Sequence, residues 1–278
     1  MNTLEFSVVV YGVSAIAGFL GALTGLGGGV VVTPVLTLLL SVDFHYAIGA
    51  TLVSVIATSS GAAAAYVKEG YSNIRAGMFL EIATTLGAVA GAHLTTVVPT
   101  SALAIIFGAV LLYSAWHSLQ PPPITTASEG DPLAIRFKLN SAYPGPRGMI
   151  AYHVRRVKAG FSLMFGAGLL SGLLGIGSGA MKVLAMDQVM RIPFKVSTTT
   201  SNFMIGVTAA ASAGVYLRNG YIDPVLAMPV MLGVLTGSLV GAQKLIAFRT
   251  GVLRLVFAVV IGVLAIEMIY NGFSGGLR

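Results

Sequence analysis

Apolar residues occupy this chain in long runs, and polar residues collect in the short gaps between them. The runs fall at about 6–24, 30–40, 47–67, 75–97 and 101–119, and again at about 159–174, 180–190, 197–217, 224–246 and 251–271. Several approach the ~20 residues that carry a helix across a bilayer core about 30 Å thick. The second run of each set does not: at about eleven residues and ~1.5 Å per residue it covers only about half of that thickness. The pattern predicts an all-α polytopic membrane protein in which each set contains one half-helix.

The two sets read as copies of one another. A shift of 150 residues aligns Gly18, Leu20, Leu23, Gly25, Gly27 and Gly29 with Gly168, Leu170, Leu173, Gly175, Gly177 and Gly179. "YVKEGY" (Tyr66–Tyr71) meets "YLRNGY" (Tyr216–Tyr221), Gly87, Gly91 and Ala92 meet Gly237, Gly241 and Ala242, and Phe107 meets Phe257. The register holds without a gap over roughly 95 residues, the signature of an internal repeat. Such repeats are typical of transporters, whose substrate site lies between the halves. The predicted organisation is a first transmembrane repeat over 1–119, a linker over 120–158 and a second repeat over 159–278.

Composition narrows the class. The 278 residues are 56% hydrophobic and only 9% charged, against about 25% charged in a soluble domain. Cysteine is absent, which removes disulfides, thiolate metal sites and a cysteine nucleophile. No cofactor and no metal is called for. The net charge of +7 does not call for nucleic acid, because Lys and Arg of a membrane protein gather on cytoplasmic loops. The linker opens on Pro121, Pro122 and Pro123 and carries Arg136, Lys138, Arg147, Arg155, Arg156 and Lys158 against Glu129 and Asp131. It reads as solvated and cytoplasmic. Its stretch "LAIRFKL" (Leu133–Leu139) either lies on anionic lipid or is simply ordered. The start, "MNTLEFSVVVYG", lacks a basic n-region and reads as a retained first helix.

Charge also selects a topology. If the halves are inverted, Lys68, Arg75, the six linker cations, Arg191, Lys195, Lys244, Arg249 and Arg254 share one side, and only Arg218 and Arg278 lie opposite. Parallel halves divide the same residues ten against five. The excess of cations on cytoplasmic loops favours inversion, with both termini outside and the linker in the cytoplasm. Whether the half-helix pair is re-entrant or fully crossing stays open.

The half-helices follow glycine-rich blocks, "GLGGGVVVTP" from Gly25 and "GIGSGAMKVL" from Gly175. Backbone that leaves the helix inside a membrane survives only when buried in protein or lining a watery cavity. The blocks therefore predict two breaks that face each other, with half-helices starting near Val30 and Ala180. Their free N–H groups and positive dipole ends would suit a small anion. Close helix packing is the competing explanation, and it accounts better for Gly87/Gly91 and Gly237/Gly241. Where the third run begins, "AIGATL" (Ala47–Leu52) corresponds to "STTTSN" (Ser197–Asn202). Thr199, Thr200, Ser201 and Asn202 form a dense set of neutral donors that either caps a helix or lines a cavity. Lys182 stands where the first half has Val32. It reads as an anion-facing lysine, with snorkelling to an interface as the alternative. Glu81, Glu267 and Arg254 read as interfacial. His93 reads as a packing histidine, with a proton relay as the alternative.

The paired glycine blocks, each followed about 20 residues later by "AIGATL" or "TTTSNF", resemble the sulfite exporter TauE/SafE family over nearly the whole chain outside the linker. The resemblance implies a multi-pass permease of the bacterial inner membrane that moves sulfur-containing anions such as sulfite and organosulfonates. It places the family's glycine turn on Gly25, Gly27, Gly28, Gly29 and Pro34, and on Gly175, Gly177, Ser178 and Gly179. Its Thr-Ser pair falls on Thr200 and Ser201, with Ala50 and Thr51 in the first half. Ser178, Leu184 and Ala50 depart from the family's glycine, proline and threonine.

Two functions follow. The first is a secondary transporter and exporter of small sulfur-containing anions, working by alternating access. Backbone amides at the breaks would hold the anion, Thr51, Ser178, Thr200, Ser201 and Asn202 would add hydrogen bonds, and Lys182 would add charge. Proton coupling is an open alternative. The second is an anion channel lined by the same breaks. No GxxxxGK[ST] loop is present, which argues against ATP hydrolysis. A hydrolase using Ser178 lacks a base and the GxSxG setting.

Overall fold

The computed structural model describes residues 3–24, 28–68, 70–118, 131–145, 148–175, 177–244 and 250–274. The first half holds α1 (Thr3–Thr24), α2 (Gly29–Leu39), α3 (Phe44–Lys68), α4 (Ile74–Leu94) and α5 (Thr100–Ser118). The short helix α6 (Pro132–Arg136) and a hairpin of β1 (Ser141–Gly145) and β2 (Gly148–Tyr152) follow. The second half holds α7 (Val157–Leu174), α8 (Gly179–Leu184), α9 (Phe194–Arg218), α10 (Pro224–Lys244) and α11 (Thr250–Ser274). Ile74–Leu94, Val157–Leu174 and Pro224–Gly241 are long and apolar enough to cross a membrane by length and composition.

The long-short-long-long-long order matches the hydrophobic pattern, with informative differences. The second half-helix is not one helix: α8 continues at Ala185–Val189 as a π-helical turn. Helices α3 and α9 start at Phe44 and Phe194, three residues before the predicted starts at 47 and 197. The "STTTSN" block therefore lies inside α9, whose N-cap is Pro193, and caps nothing. Helix α4 stops at Leu94 rather than 97, because Thr95–Val98 turn back onto Gly91, His93 and Leu94 carbonyls. His93 is consequently at a helix end and exposed, with Nδ1 on the Val89 carbonyl at 2.8 Å. It is neither deep nor packed.

The halves interlock by exchange. Helix α1 packs on α10, α4 on α7, α3 on α9 and α5 on α11. On α4, Gly87 lies against the backbone of Phe165 and Leu169, and on α10, Gly237 lies against the backbone of Ala15 and Phe19. These are the same contacts displaced by 150 residues. A side chain at either glycine would enter the opposing main chain, so the packing expected for them is what they do. His45 at the start of α3 stacks on Tyr221, just past the end of α9, with ring centroids 4.9 Å apart. Lys195 at the start of α9 lies over Tyr71, just past the end of α3, 5.8 Å from its ring centroid. Helices α3 and α9 therefore run antiparallel. So do α5 and α11, where Gly108 meets Ala265 and Ile269 while Gly272 meets Ser101 and Ile105.

The described part of the linker is a folded cap. Asp131 accepts the Leu133 and Val157 amides at 2.9 and 3.0 Å, which fixes both α6 and the start of α7. Leu139, Tyr152 and Val154 are buried in a second apolar cluster with Ala76 and Leu80 of α4 and Met164 of α7. "LAIRFKL" is thus ordered: Ala134 and Leu139 point inward, while Ile135 and Phe137 stay exposed. The stretch 121–130 lies outside the described residues.

Candidate functional site

Each break is shaped by its local sequence. Helix α7 ends when Gly175 adopts φ 66° and its N–H bonds back to Ser171 at 2.8 Å. Gly177 at φ 68° and Ser178 at φ 49° keep the chain left-handed before α8 starts. Glycine adopts that conformation freely, whereas serine does so at a cost. Among the described residues, the first amide of α8 to bond back is that of Lys182, to the Ser178 carbonyl at 3.0 Å. The first break differs: Gly28 is right-handed at φ −62°, and the Val31 and Val32 amides bond its carbonyl at 3.2 and 3.1 Å.

The breaks adjoin. A Cβ added to Gly29 would stand 3.5 Å from the Gly175 carbonyl oxygen, 2.8 Å from Thr51 Cγ2 and 2.9 Å from Val55 Cγ2. A Cβ on Gly177 would stand 3.2 Å from Val55 Cγ1 and 2.7 Å from Ile205 Cγ2. Val55 of α3 is therefore wedged between the two breaks, with Ile205 of α9 on one side and Ile48 against Gly175. Gly28 instead faces Val234 of α10.

The polar residues divide between two places. Thr51 is fully buried and accepts a hydrogen bond from Thr33 at 2.9 Å. Ser201 donates to the Gly179 carbonyl at 3.2 Å. Ser178 is buried, and its Oγ has no hydrogen-bond partner among the described residues. These stand at the breaks. Thr200 turns the other way, accepting the Asn73 N–H at 3.0 Å. Asn202 is half-buried on α9. Gly25 and Gly27 lie outside the described residues.

Lys182 is fully buried and does not snorkel. Its Nζ donates to Thr208 Oγ1 and lies 3.7 Å from Glu81 Oε2. Thr208 donates to Glu81 Oε1 at 2.6 Å. Glu81, expected at an interface, is buried instead, because α4 turns it inward onto the second half. Sequence reasoning also missed Thr33 and Thr208. A signal for Thr208 was available: Thr58 occupies the matching place in the first half.

A bundle of apolar helices whose two interrupted segments meet in its interior, with buried hydroxyls and a buried ion pair beside them, is the architecture of a polytopic membrane transporter. The sequence profile described as Sulfite exporter TauE/SafE matches residues 10–268, and the chain belongs to that family. It is 26% identical over 275 residues to the probable membrane transporter protein YunE of Bacillus subtilis (strain 168), covering 95% of this chain and 98% of that protein. It is 28% identical over 238 residues to the probable membrane transporter protein YdhB of the same organism, covering 85% and 87%. A probable membrane transporter protein of Xylella fastidiosa (strain 9a5c) is 23% identical over 275 residues, covering 98% of each chain. No solved structure matches. The family is one of membrane transporters, and these relatives are named as probable membrane transporters rather than as enzymes.

Proposed function

We propose that the protein is a secondary transporter, in the exporting direction, of small sulfur-containing anions such as sulfite or organosulfonates. It works by alternating access of two inverted halves in a bacterial inner membrane, with the linker cytoplasmic and both termini outside. The observation that carries this reading is the contact of the two breaks, Gly29 against the Gly175 carbonyl, beside the Ser178 hydroxyl, which has no partner among the described residues. A buried polar group without a partner is costly, and a ligand oxygen there would satisfy it. The antiparallel run of α3 with α9 and of α5 with α11 supports inversion, since parallel repeats would align each pair. The proposed site comprises Gly25, Gly27, Gly28, Gly29 and Thr51 from the first half and Gly175, Gly177, Ser178, Gly179, Ser201 and Asn202 from the second. Thr200 joins it only if Asn73 releases it, and Lys182 only if Glu81 is displaced or neutralised.

The test is a thermal-shift screen of the purified protein against sulfite, sulfate, thiosulfate, sulfoacetate and taurine, followed by uptake in proteoliposomes. A ligand bound to the folded state raises the melting temperature. Saturable uptake of the stabilising anion supports the transporter. Currents far above ~10³ ions per second, beyond ordinary turnover, would instead mark a channel, and no shift with any of the five would reject the substrate class.

A further inference from the structure

Among the described residues, Glu81, Lys182 and Asp187 are the buried side chains that carry formal charge. Asp187 lies beside Gln188, 3.3 Å from its Nε2. The other two form an ion pair that joins the halves, Glu81 from α4 of the first and Lys182 from α8 of the second. The pair is lopsided. Glu81 Oε1 accepts hydroxyls from Thr208 at 2.6 Å and Thr85 at 3.2 Å. Oε2 is buried and accepts no hydrogen bond from the described residues, standing only 3.7 Å from the ammonium.

We propose that Glu81 carries a proton through the transport cycle. This inference rests on the reading that the chain moves an anion. Together Glu81 and Lys182 are neutral. An anion arriving at Lys182 would bring negative charge that the pair does not compensate, in a medium where such charge is costly. Protonation of Glu81 at Oε2 removes one unit of that negative charge and frees the ammonium for the incoming oxyanion. The proton comes from water on the side where the anion enters. It returns to water on the other side when the anion leaves and the ion pair closes again. One proton therefore travels with each anion bound at Lys182, and no bond other than O–H is made or broken.

Among the described residues, Glu81 is the carboxylate within reach of the Lys182 ammonium. The other titratable or charged groups on α4, Arg75 and His93, are exposed and near its ends. Helix α7 offers only Lys158, exposed at its start, and α9 offers Lys195, Tyr216 and Arg218 near its ends. Asp187 and Arg191 follow α8, and Asp131 and Arg155 belong to the cap. Among the described residues none of these lies within ion-pair distance of Glu81. The repeat positions matching Lys182 and Glu81 are Val32 in the first half and Met231 in the second, so the repeat does not duplicate the pair.

The test is infrared spectroscopy of the full-length protein in lipid, which needs no substrate. The carbonyl band of a buried protonated carboxylic acid should appear as the pH is lowered, vanish in Glu81→Gln and move in Glu81→Asp. Absence of the band down to the acid limit of the folded protein, or its persistence unchanged in Glu81→Gln, overturns the proposal. In proteoliposomes with an internal pH dye, a sulfoacetate or thiosulfate gradient should move protons through wild-type protein, and Glu81→Gln should abolish that flux. Sulfoacetate transport with unchanged proton flux in Glu81→Gln also overturns it. If neither anion is transported, the substrate class fails, while the infrared titration still decides the role of Glu81.

Discussion

Gly29 of the first break and the carbonyl oxygen of Gly175 in the second adjoin, 3.5 Å separating that oxygen from where a Cβ of Gly29 would stand. The methyl groups of Thr51 and Val55 close the same space at 2.8 and 2.9 Å. Gly29→Val is expected to abolish transport while the chain still inserts, because overpacking costs about 1–3 kcal/mol and drives the breaks apart. Uptake assays beside size-exclusion profiles check this; wild-type transport by Gly29→Val would remove the breaks from the site.

Ser178 holds φ 49° where glycine would fit without strain. Ser178→Gly should keep or raise stability, by up to about 1 kcal/mol, and should weaken anion binding through loss of the unpartnered hydroxyl. Thermal unfolding with and without the anion measures both. A stability loss with unchanged affinity would make Ser178 a packing residue.

The buried pair of Lys182 and Glu81 predicts non-additive mutants. Lys182→Met or Glu81→Leu alone leaves a buried charge uncompensated and should cost about 3–5 kcal/mol, whereas the double variant should recover most of the loss. Melting temperatures of the four proteins form the cycle. Additive losses would mean that the two side chains do not interact.

The cap is fastened through Asn73. Its side chain accepts the Ala76 N–H at 3.0 Å and donates to the Leu139 carbonyl and the Tyr152 hydroxyl, each at 2.8 Å, while its backbone amide holds Thr200. Asn73→Ala should lower stability by about 1–3 kcal/mol and speed amide exchange across 139–152. Burial pushes the Tyr152 phenol up to about 12 from its ordinary 10.0. The folded state therefore holds a proton that the unfolded state releases, so this contribution is full below about pH 10 and fades as pH rises to about 12. Unchanged unfolding in Asn73→Ala, or cap docking that strengthens over that alkaline window, would contradict the arrangement.

Hydrophobic runs and glycine blocks made the fold and the breaks legible. The first half-helix spans Gly29–Leu39, and α8 with its π-helical turn spans the same eleven positions in the second half. What stayed hidden depended on helix phase and on tertiary contact. Glu81 lies only eight residues into α4, where a lone carboxylate reads as interfacial, and only the packing of α4 on the second half turns it inward. Thr200 and Ser201 are sequence neighbours with one chemistry, yet a helix points adjacent residues about 100° apart. One reaches Asn73 and the other Gly179. Phe44 and Phe194 read as gap residues but begin helices, which moved the hydroxyl block away from a capping position.

The most direct measurement uses the absence of native cysteine. Ser178→Cys, reconstituted in liposomes, is treated with 2-sulfonatoethyl methanethiosulfonate, a reagent that is itself a small sulfonate. The expected result is modification that stops transport and is slowed by sulfoacetate. Modification at the same rate with and without the anion, with transport unaffected, would contradict a substrate site at the breaks.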